Sequence, residues 1–341
     1  MIGMKKILPL ILKYGIAFGI AGFFIWLSLK DIKPQDKHDI MQALLHAKFL
    51  LLLPVFALML LSHLFRALRW KQLIEPMGYK PPVFDLLCGI LLGYLANQFI
   101  PRAGEIARCT IVGRQQKIPV EKLIGTILAE RAFDLLCLLM MAVSAFFLQY
   151  GYLSGYAGEI VHKLGGNLHN KGQSFWLIAS SICVLGIILI IYLVKKPKRK
   201  TQSVFARIFR GLGEGFGSIK RVNSKWAFLS YTGLMWLCYV LSTWLGCFAL
   251  VETQHLGIST GVALLVFGTF GIIVAPGGLG AYPYAIQKTL LLYNINENIA
   301  IASGWLLMLA QVVFVLIFGT LAYFAVKWRN RYYEKHRISS T

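Results

Sequence analysis

Eight charged side chains stand out in this chain because of where they fall. Arg102, Glu105 and Arg108 are spaced three apart within Asn97 to Arg108, which interrupts an apolar run beginning near Phe84 and resuming around Leu123. If Gly104 to Val112 is helical, Glu105 and Arg108 share a face and can pair. A short helix starting after Pro101 would aim its N-terminal amides at an anion such as a phosphate. Arg102 would add a bidentate contact to that anion. Glu130 and Asp134 stand at i and i+4 on one face of the next apolar segment, beside Arg131. Two carboxylates that close need a cation, a proton or an arginine, and Arg131, Arg102 and Arg108 are the candidates. Either one carboxylate titrates and carries a proton, or the set forms an internal salt-bridge network that locks the helix to the broken segment.

Arg66 and Arg69, with Trp70, end another apolar segment. They read first as snorkelling orientation charges beside an interfacial Trp, and second as ligands for a lipid head group. His63, one turn earlier, reads as a packed polar residue, with no second His or Cys at metal-ligand spacing. Pro276, Gly277, Gly278 and Gly280 break a further apolar run, and three glycines around a proline suit a substrate-facing break in a helix. The sequence contains no nucleophile–base set, no phosphate-binding P-loop and no dinucleotide fingerprint. No cofactor and no metal are expected.

The setting of these residues is what makes them costly. The chain has 341 residues, of which 57% are hydrophobic and 14% charged, with a mean hydropathy of +0.65. Soluble domains are about 45–50% apolar and about 25% charged, so the composition describes a polytopic helical membrane protein. A charge at the centre of a span costs roughly 2.5–3.5 kcal/mol on insertion scales. Irregular backbone at that depth survives only where protein or a water-filled cavity shields it. The net charge of +21 lies between the apolar spans and reads as the Lys/Arg bias of cytoplasmic loops rather than as a nucleic-acid surface. The six cysteines lack C-x-x-C spacing and read as small buried apolar residues.

The elements follow in order. Full spans are expected at 9–29, 49–65, 123–148, 174–194, 226–250 and 299–326. The first is read as a retained transmembrane helix rather than a cleaved signal. Residues 30–48 read as a mixed-charge loop without cytoplasmic bias, and 149–173 as a second external loop. Phe84 to Gln98 would be only about 22 Å long as a helix, short for a hydrocarbon core of about 30 Å. With Ile106 to Val112 it reads as a re-entrant hairpin, and Ser259 to Val274 with Ala281 to Tyr293 reads as a second. The expected fold is therefore all-α: a single transmembrane domain over 1–341, with about six full spans and two re-entrant broken-helix hairpins. The halves 9–148 and 174–326 repeat the same order with opposite orientation, an inverted-repeat transporter architecture. The basic loop 195–225 and the basic tail 327–341 put both termini in the cytoplasm.

Four motifs, in this order, resemble the transmembrane region of the lysylphosphatidylglycerol synthase family, including its stand-alone bacterial and archaeal members of flippase-like role. They are Arg66-Ala67-Leu68-Arg69-Trp70, Asn97 through Arg108 with its Pro-Arg-x-Gly-Glu core, Ala129-Glu130-Arg131-Ala132-Phe133-Asp134, and Pro276-Gly277-Gly278-Leu279-Gly280. The resemblance implies an inner-membrane protein that moves or binds lipid, either aminoacylated phospholipid or a lipid-linked sugar carrier. Two departures matter. Pro283 stands where the family often has an acid, three residues after the last glycine of the second break. The soluble aminoacyl-transferring domain of full-length synthases is absent from these residues, so this chain alone is not expected to make lysylphosphatidylglycerol.

The reading that results is a lipid transporter or flippase of the inner membrane. Arg102, Arg108 and Arg131 hold an anionic head group, and Glu105, Glu130 and Asp134 pair with them or bind a cationic part of the head. The glycine-proline breaks line the cavity. The alternatives are a membrane-embedded enzyme with Glu130 or Asp134 as general base, and a scaffold that recruits a partner synthase through the basic loop 195–225.

Overall fold

The computed structural model describes residues 15, 19–30, 32–100, 103–149, 222 and 224–338. Among the described residues all regular structure is helical. The helices are α1 (Gly19–Leu29), α2 (Pro34–Leu45), α3 (Leu52–Ile74), α4 (Val83–Phe99), α5 (Ala103–Gln116), α6 (Val120–Leu148), α7 (Lys225–Cys247), α8 (Ile258–Val274), α9 (Ala281–Leu291) and α10 (Glu297–Ile338). Among the described residues four stretches are long and apolar enough to cross a membrane: Phe49–Met77, Val120–Leu148, Lys225–Cys247 and Glu297–Arg329. Helices are the economical answer in lipid because every interior amide and carbonyl is paired within the segment. The chain is a helical membrane protein.

The four long stretches coincide with the second, third, fifth and sixth expected spans. The fourth expected span, and the loops 149–173 and 195–225 except for residues 149, 222, 224 and 225, lie outside the described residues. Three expectations are corrected. Residues 30–48 are not a plain loop: Pro34 opens α2, and the Lys33 amide donates to Asp36 Oδ2 at 2.9 Å, closing its first turn. The second span does not stop at Phe65 but runs on as helix to Ile74, so Arg66, Arg69 and Trp70 are helix-interior residues. The tail after Val326 likewise continues α10 to Ile338.

The chain divides into two units, Met1–Phe56 with Val240–Gln311 and Ala57–Tyr239 with Val312–Thr341. In the second unit α4 and α5 form an antiparallel pair joined at Ile100. α4 ends on Ile100 in extended conformation, its amide donating to the Ala96 carbonyl at 2.9 Å. The helices then approach so closely that a Cβ on Gly93 would sit 2.8 Å from the Gly104 carbonyl oxygen. Only glycine allows that approach. In the first unit α8 and α9 repeat the construction. α8 ends on extended Ala275, whose amide donates to the Gly271 carbonyl at 3.1 Å. A Cβ on Gly271 would lie 2.7 Å from the Ala281 carbonyl oxygen. α4 and α8 are each 17 residues long, about 26 Å of helix.

The open end of the α4–α5 pair is tied to α10. Asp85, in the first turn of α4, is buried and accepts hydrogen bonds from Gln116 at the end of α5 and from Arg329 of α10, whose Nη2 lies 2.6 Å from Oδ2. Removing one partner of a buried ion pair strands the other's charge, typically at 3–5 kcal/mol. Arg329 keeps part of its side chain exposed, which places the effect at the lower end. Asp85→Ala is therefore expected to destabilise the second unit by about 3 kcal/mol, read by thermal unfolding in detergent. An unchanged midpoint would show that the tie carries no stability.

Candidate functional site

Three helices of the second unit bring the singled-out charges together. α3 presents Arg66 and Arg69, α5 presents Arg108, and α6 presents Glu130 and Asp134 from one face. Arg69 Nη1 donates to Asp134 Oδ1 at 2.7 Å, and Arg66 Nη2 reaches Asp134 Oδ2 at 3.5 Å. Arg108 donates to Glu130 Oε2, while Arg69 Nη2 stands 3.7 Å from Glu130 Oε1, an ion pair too long to be a hydrogen bond. Arg69 and Glu130 are both 0% exposed, and Arg66 and Arg108 are buried as well.

Aromatic and hydroxyl groups close the cluster. Arg66 Nη2 donates to Tyr239 Oη of α7 at 3.1 Å. The Arg108 guanidinium lies 4.3 Å from the Trp70 ring centroid, and those of Arg69 and Arg66 lie 5.8 Å and 6.0 Å from Phe228 and Tyr94. Such stacking suits guanidinium, which is weakly hydrated for its charge. Trp70 is buried, and its indole donates to Thr126 Oγ1 at 2.8 Å. His63 is also buried, its ring 4.7 Å from that of Tyr94.

The charge count does not balance. Three buried guanidiniums face one buried carboxylate, Glu130, and one partly buried one, Asp134, an excess of one positive charge. Several buried donors also have no hydrogen-bond partner: Arg66 Nε and Nη1, Arg69 Nε and Arg108 Nε. A buried charge is tolerated when paired and hydrogen-bonded. An excess cation with idle N–H groups is chemically a seat for an anion.

Several expected pairings change partner. Glu105 does not pair with Arg108 along α5. It crosses to α6 and meets Arg131 Nε at 3.0 Å, a pair with both side chains about half exposed (47% and 46%). Arg131 is thus not the counter-ion of Glu130 and Asp134; Arg66, Arg69 and Arg108 are. The snorkelling reading of Arg66 and Arg69, and the interfacial reading of Trp70, give way to buried pairing with α6, because both arginines face its carboxylates rather than an aqueous interface. The α5 N-terminus is also less open than expected. Asn97 Oδ1 accepts the Gly104 amide at 2.7 Å, and the Ile100 carbonyl accepts that of Ala103. Arg102, with Pro101, lies outside the described residues.

The second glycine-proline break belongs to the first unit. Pro276–Gly278 forms a single 3₁₀ turn, and Gly277, Gly278 and Gly280 have φ of 65°, 74° and 74°. A Cβ on Gly280 would lie 2.6 Å from the Ile25 amide nitrogen of α1, so this glycine serves packing. Nothing lies within 4 Å of the place a Gly277 side chain would occupy. Pro283, where an acid was looked for, packs its backbone against Gly304 of α10. Among the described residues no three His, Cys, Asp or Glu side chains cluster as metal ligands, and the described cysteines are free and buried.

Tyr239, Tyr94, Phe228 and Thr126 escaped sequence reading. Each is an unremarkable residue in an apolar run, and only the pairing of α3 with α6 and α7 gives it a role.

The depth of burial separates two kinds of ion pair by magnitude. Glu130→Gln strands Arg108 and weakens Arg69, an expected loss of about 3–5 kcal/mol. Glu105→Gln removes a half-exposed pair, with an expected loss of about 1 kcal/mol or less. Parallel thermal unfolding of the two variants checks the order, and equal losses would refute it.

Comparison with known proteins bears on the same residues. The model of a family described as the lysylphosphatidylglycerol synthase transmembrane region matches residues 11–319. A UPF0104 membrane protein of Methanocaldococcus jannaschii is 21% identical over 292 residues, covering 80% of this chain and 83% of its own length. No solved structure matches.

Proposed function

The chain belongs to the lysylphosphatidylglycerol synthase transmembrane-region family, and from that premise we propose that it seats the anionic head group of a membrane lipid and carries it across the inner membrane. The observation that carries this reading is the unbalanced cluster: Arg66, Arg69 and Arg108 against Glu130 and Asp134, with guanidinium donors buried and idle. A lipid phosphate supplies both the missing charge and the missing acceptors. Arginine is suited to it, since its planar fork takes phosphate oxygens two at a time. The ligand is an anionic or aminoacylated phospholipid, or a phosphate-linked lipid carrier. In the aminoacylated case the added amine would compete with Arg131 for half-exposed Glu105.

Arg69 and Glu130 are fully buried here, so a head group that reaches them requires the helices around them to part. The matched α4–α5 and α8–α9 pairs support reading both as re-entrant hairpins of an inverted repeat. The Lys/Arg bias of segment 195–225 and of the tail 327–341 supports a cytoplasmic reading for both termini. The enzyme reading, with Glu130 or Asp134 as general base, is disfavoured, because each carboxylate already faces two guanidiniums, which hold it ionised and weakly basic. The scaffold reading rests on loop 195–225 and shares no feature of the cluster.

Arg66 is the discriminating position, since it holds idle donors and makes only one long contact to a carboxylate. In liposomes loaded with fluorescent anionic and aminoacylated lipids, Arg66→Gln is expected to slow leaflet exchange about tenfold or more, the worth of one charge-assisted hydrogen bond. Arg66→Lys should recover part of the rate, keeping the charge but not the fork. Exchange by the unaltered protein no faster than in protein-free liposomes, for every lipid tried, would sink the transport reading.

A further inference from the structure

α2 has an unusual position for a charged segment of a membrane protein. It is a 12-residue helix with no buried residue, yet it is fastened firmly. Ile40, Ala43 and Leu44 pack on a core formed by Ala47, Ala249, Leu250, Ala302 and Leu306. Asn298 Nδ2, in the first turn of α10, donates to Asp36 Oδ1 at 3.1 Å and to Asp39 Oδ2 at 3.4 Å. Just beyond α2, the Lys48 amide donates to the Ala249 carbonyl at 2.8 Å.

These fastenings fix the depth of the helix. One stretch able to cross the membrane begins at Phe49, four residues after α2 ends, and another begins at Glu297, next to the clamp residue. A helix tied to the first residues of two spans lies where those spans leave the hydrocarbon. Helical spacing then sorts its side chains by face. With Ile40, Ala43 and Leu44 turned to the protein, Pro34, Met41 and Leu45 share a second face roughly a third of a turn round the helix, with Lys37 and His38 at its edges. Met41 is 57% exposed and Leu45 66%. Their apolar strip continues into Phe49, Leu50 and Leu53, the exposed opening residues of the span.

We propose that α2 is an interfacial helix: it lies in the plane of the bilayer surface, with Met41 and Leu45 inserted at the boundary of head groups and acyl chains and Lys37 and His38 at head-group level. Helices of this kind bind chiefly through buried apolar area, to which a basic side chain such as Lys37 adds attraction for anionic lipid. The partner is the membrane itself, held on the face that the two span ends already define. The inference concerns the first unit alone and holds whichever lipid the arginine cluster takes. Its consequence is that the first unit is anchored flat at one surface, so that α1, α3 and α10 leave the membrane at a fixed level.

The test places nitroxide labels on Met41→Cys, Leu45→Cys and, on the water-facing side, Gln35→Cys, in full-length chain whose native cysteines are replaced. The protein is reconstituted in liposomes of phosphatidylglycerol and phosphatidylethanolamine. Labels at 41 and 45 are expected to collide severalfold more with oxygen than with a water-soluble nickel chelate, and the label at 35 to show the reverse. Equal chelate access at all three positions would overturn the proposal. If the cysteine-free chain fails to fold, a benzophenone photocrosslinker at 41 and 45 in the otherwise native chain gives a second reading. Lipid adducts at both positions support the interfacial seat, and adducts to protein, within the chain or to a second copy, overturn it.

Discussion

Glu130 is a carboxylate with no access to water, and the arrangement of the second unit follows from that constraint. An ionised carboxylate in a low-dielectric interior is sustained only by close cations that satisfy its oxygens. Arg108 must therefore come from α5 and Arg69 from α3, which draws those helices onto α6 at one level. Arg69 in turn needs Asp134, one turn along α6, and Arg66 follows one turn along α3. The charges behave as a lattice in which each member justifies the next. Such lattices are poor contributors to raw stability, since apolar residues of similar volume would often do as well. Their persistence in a hydrophobic protein is better explained by what the surplus cation can do than by what the pairs hold together.

How much of this was legible beforehand depended on the kind of signal. Long apolar runs gave the spans at 49–65, 123–148, 226–250 and 299–326, since length and composition suffice to mark a helix that crosses lipid. The breaks at Ile100 and Pro276 were equally visible, because proline and glycine interrupt a helix for reasons that do not depend on neighbours. The cost of intramembrane charge pointed to Arg108, Glu130 and Asp134 as partners of something. Which partner took which was not legible. Arg66 and Arg69 at the end of an apolar run look the same whether they snorkel to water or turn inward, and only the continuation of α3 to Ile74 decides it. Glu105 with Arg108 at i and i+3 was a sound local pairing, yet each found a partner on α6 instead. α2 was missed because a mixed-charge amphipathic segment of 12 residues lacks the sustained periodicity that marks a longer helix.

The two hairpins show how one backbone device serves different chemistry. α4 and α8 have equal length, end on the same extended conformation, and rely on a glycine where the returning helix crosses. One carries a carboxamide cap, from Asn97, and a buried arginine. The other carries three left-handed glycines and no charge at its bend. Backbone geometry and side-chain function have separated between them.

α10 is helical without interruption for 42 residues, about 63 Å, whereas a bilayer with its head groups measures about 40–45 Å. The surplus is a helical mast of several turns. A helical protein fused in phase with this mast would inherit the orientation of the span, with no flexible joint between them. For a chain of 38.3 kDa, mostly hidden in a detergent or lipid belt, such a fusion offers a fiducial by which single-particle images could be aligned.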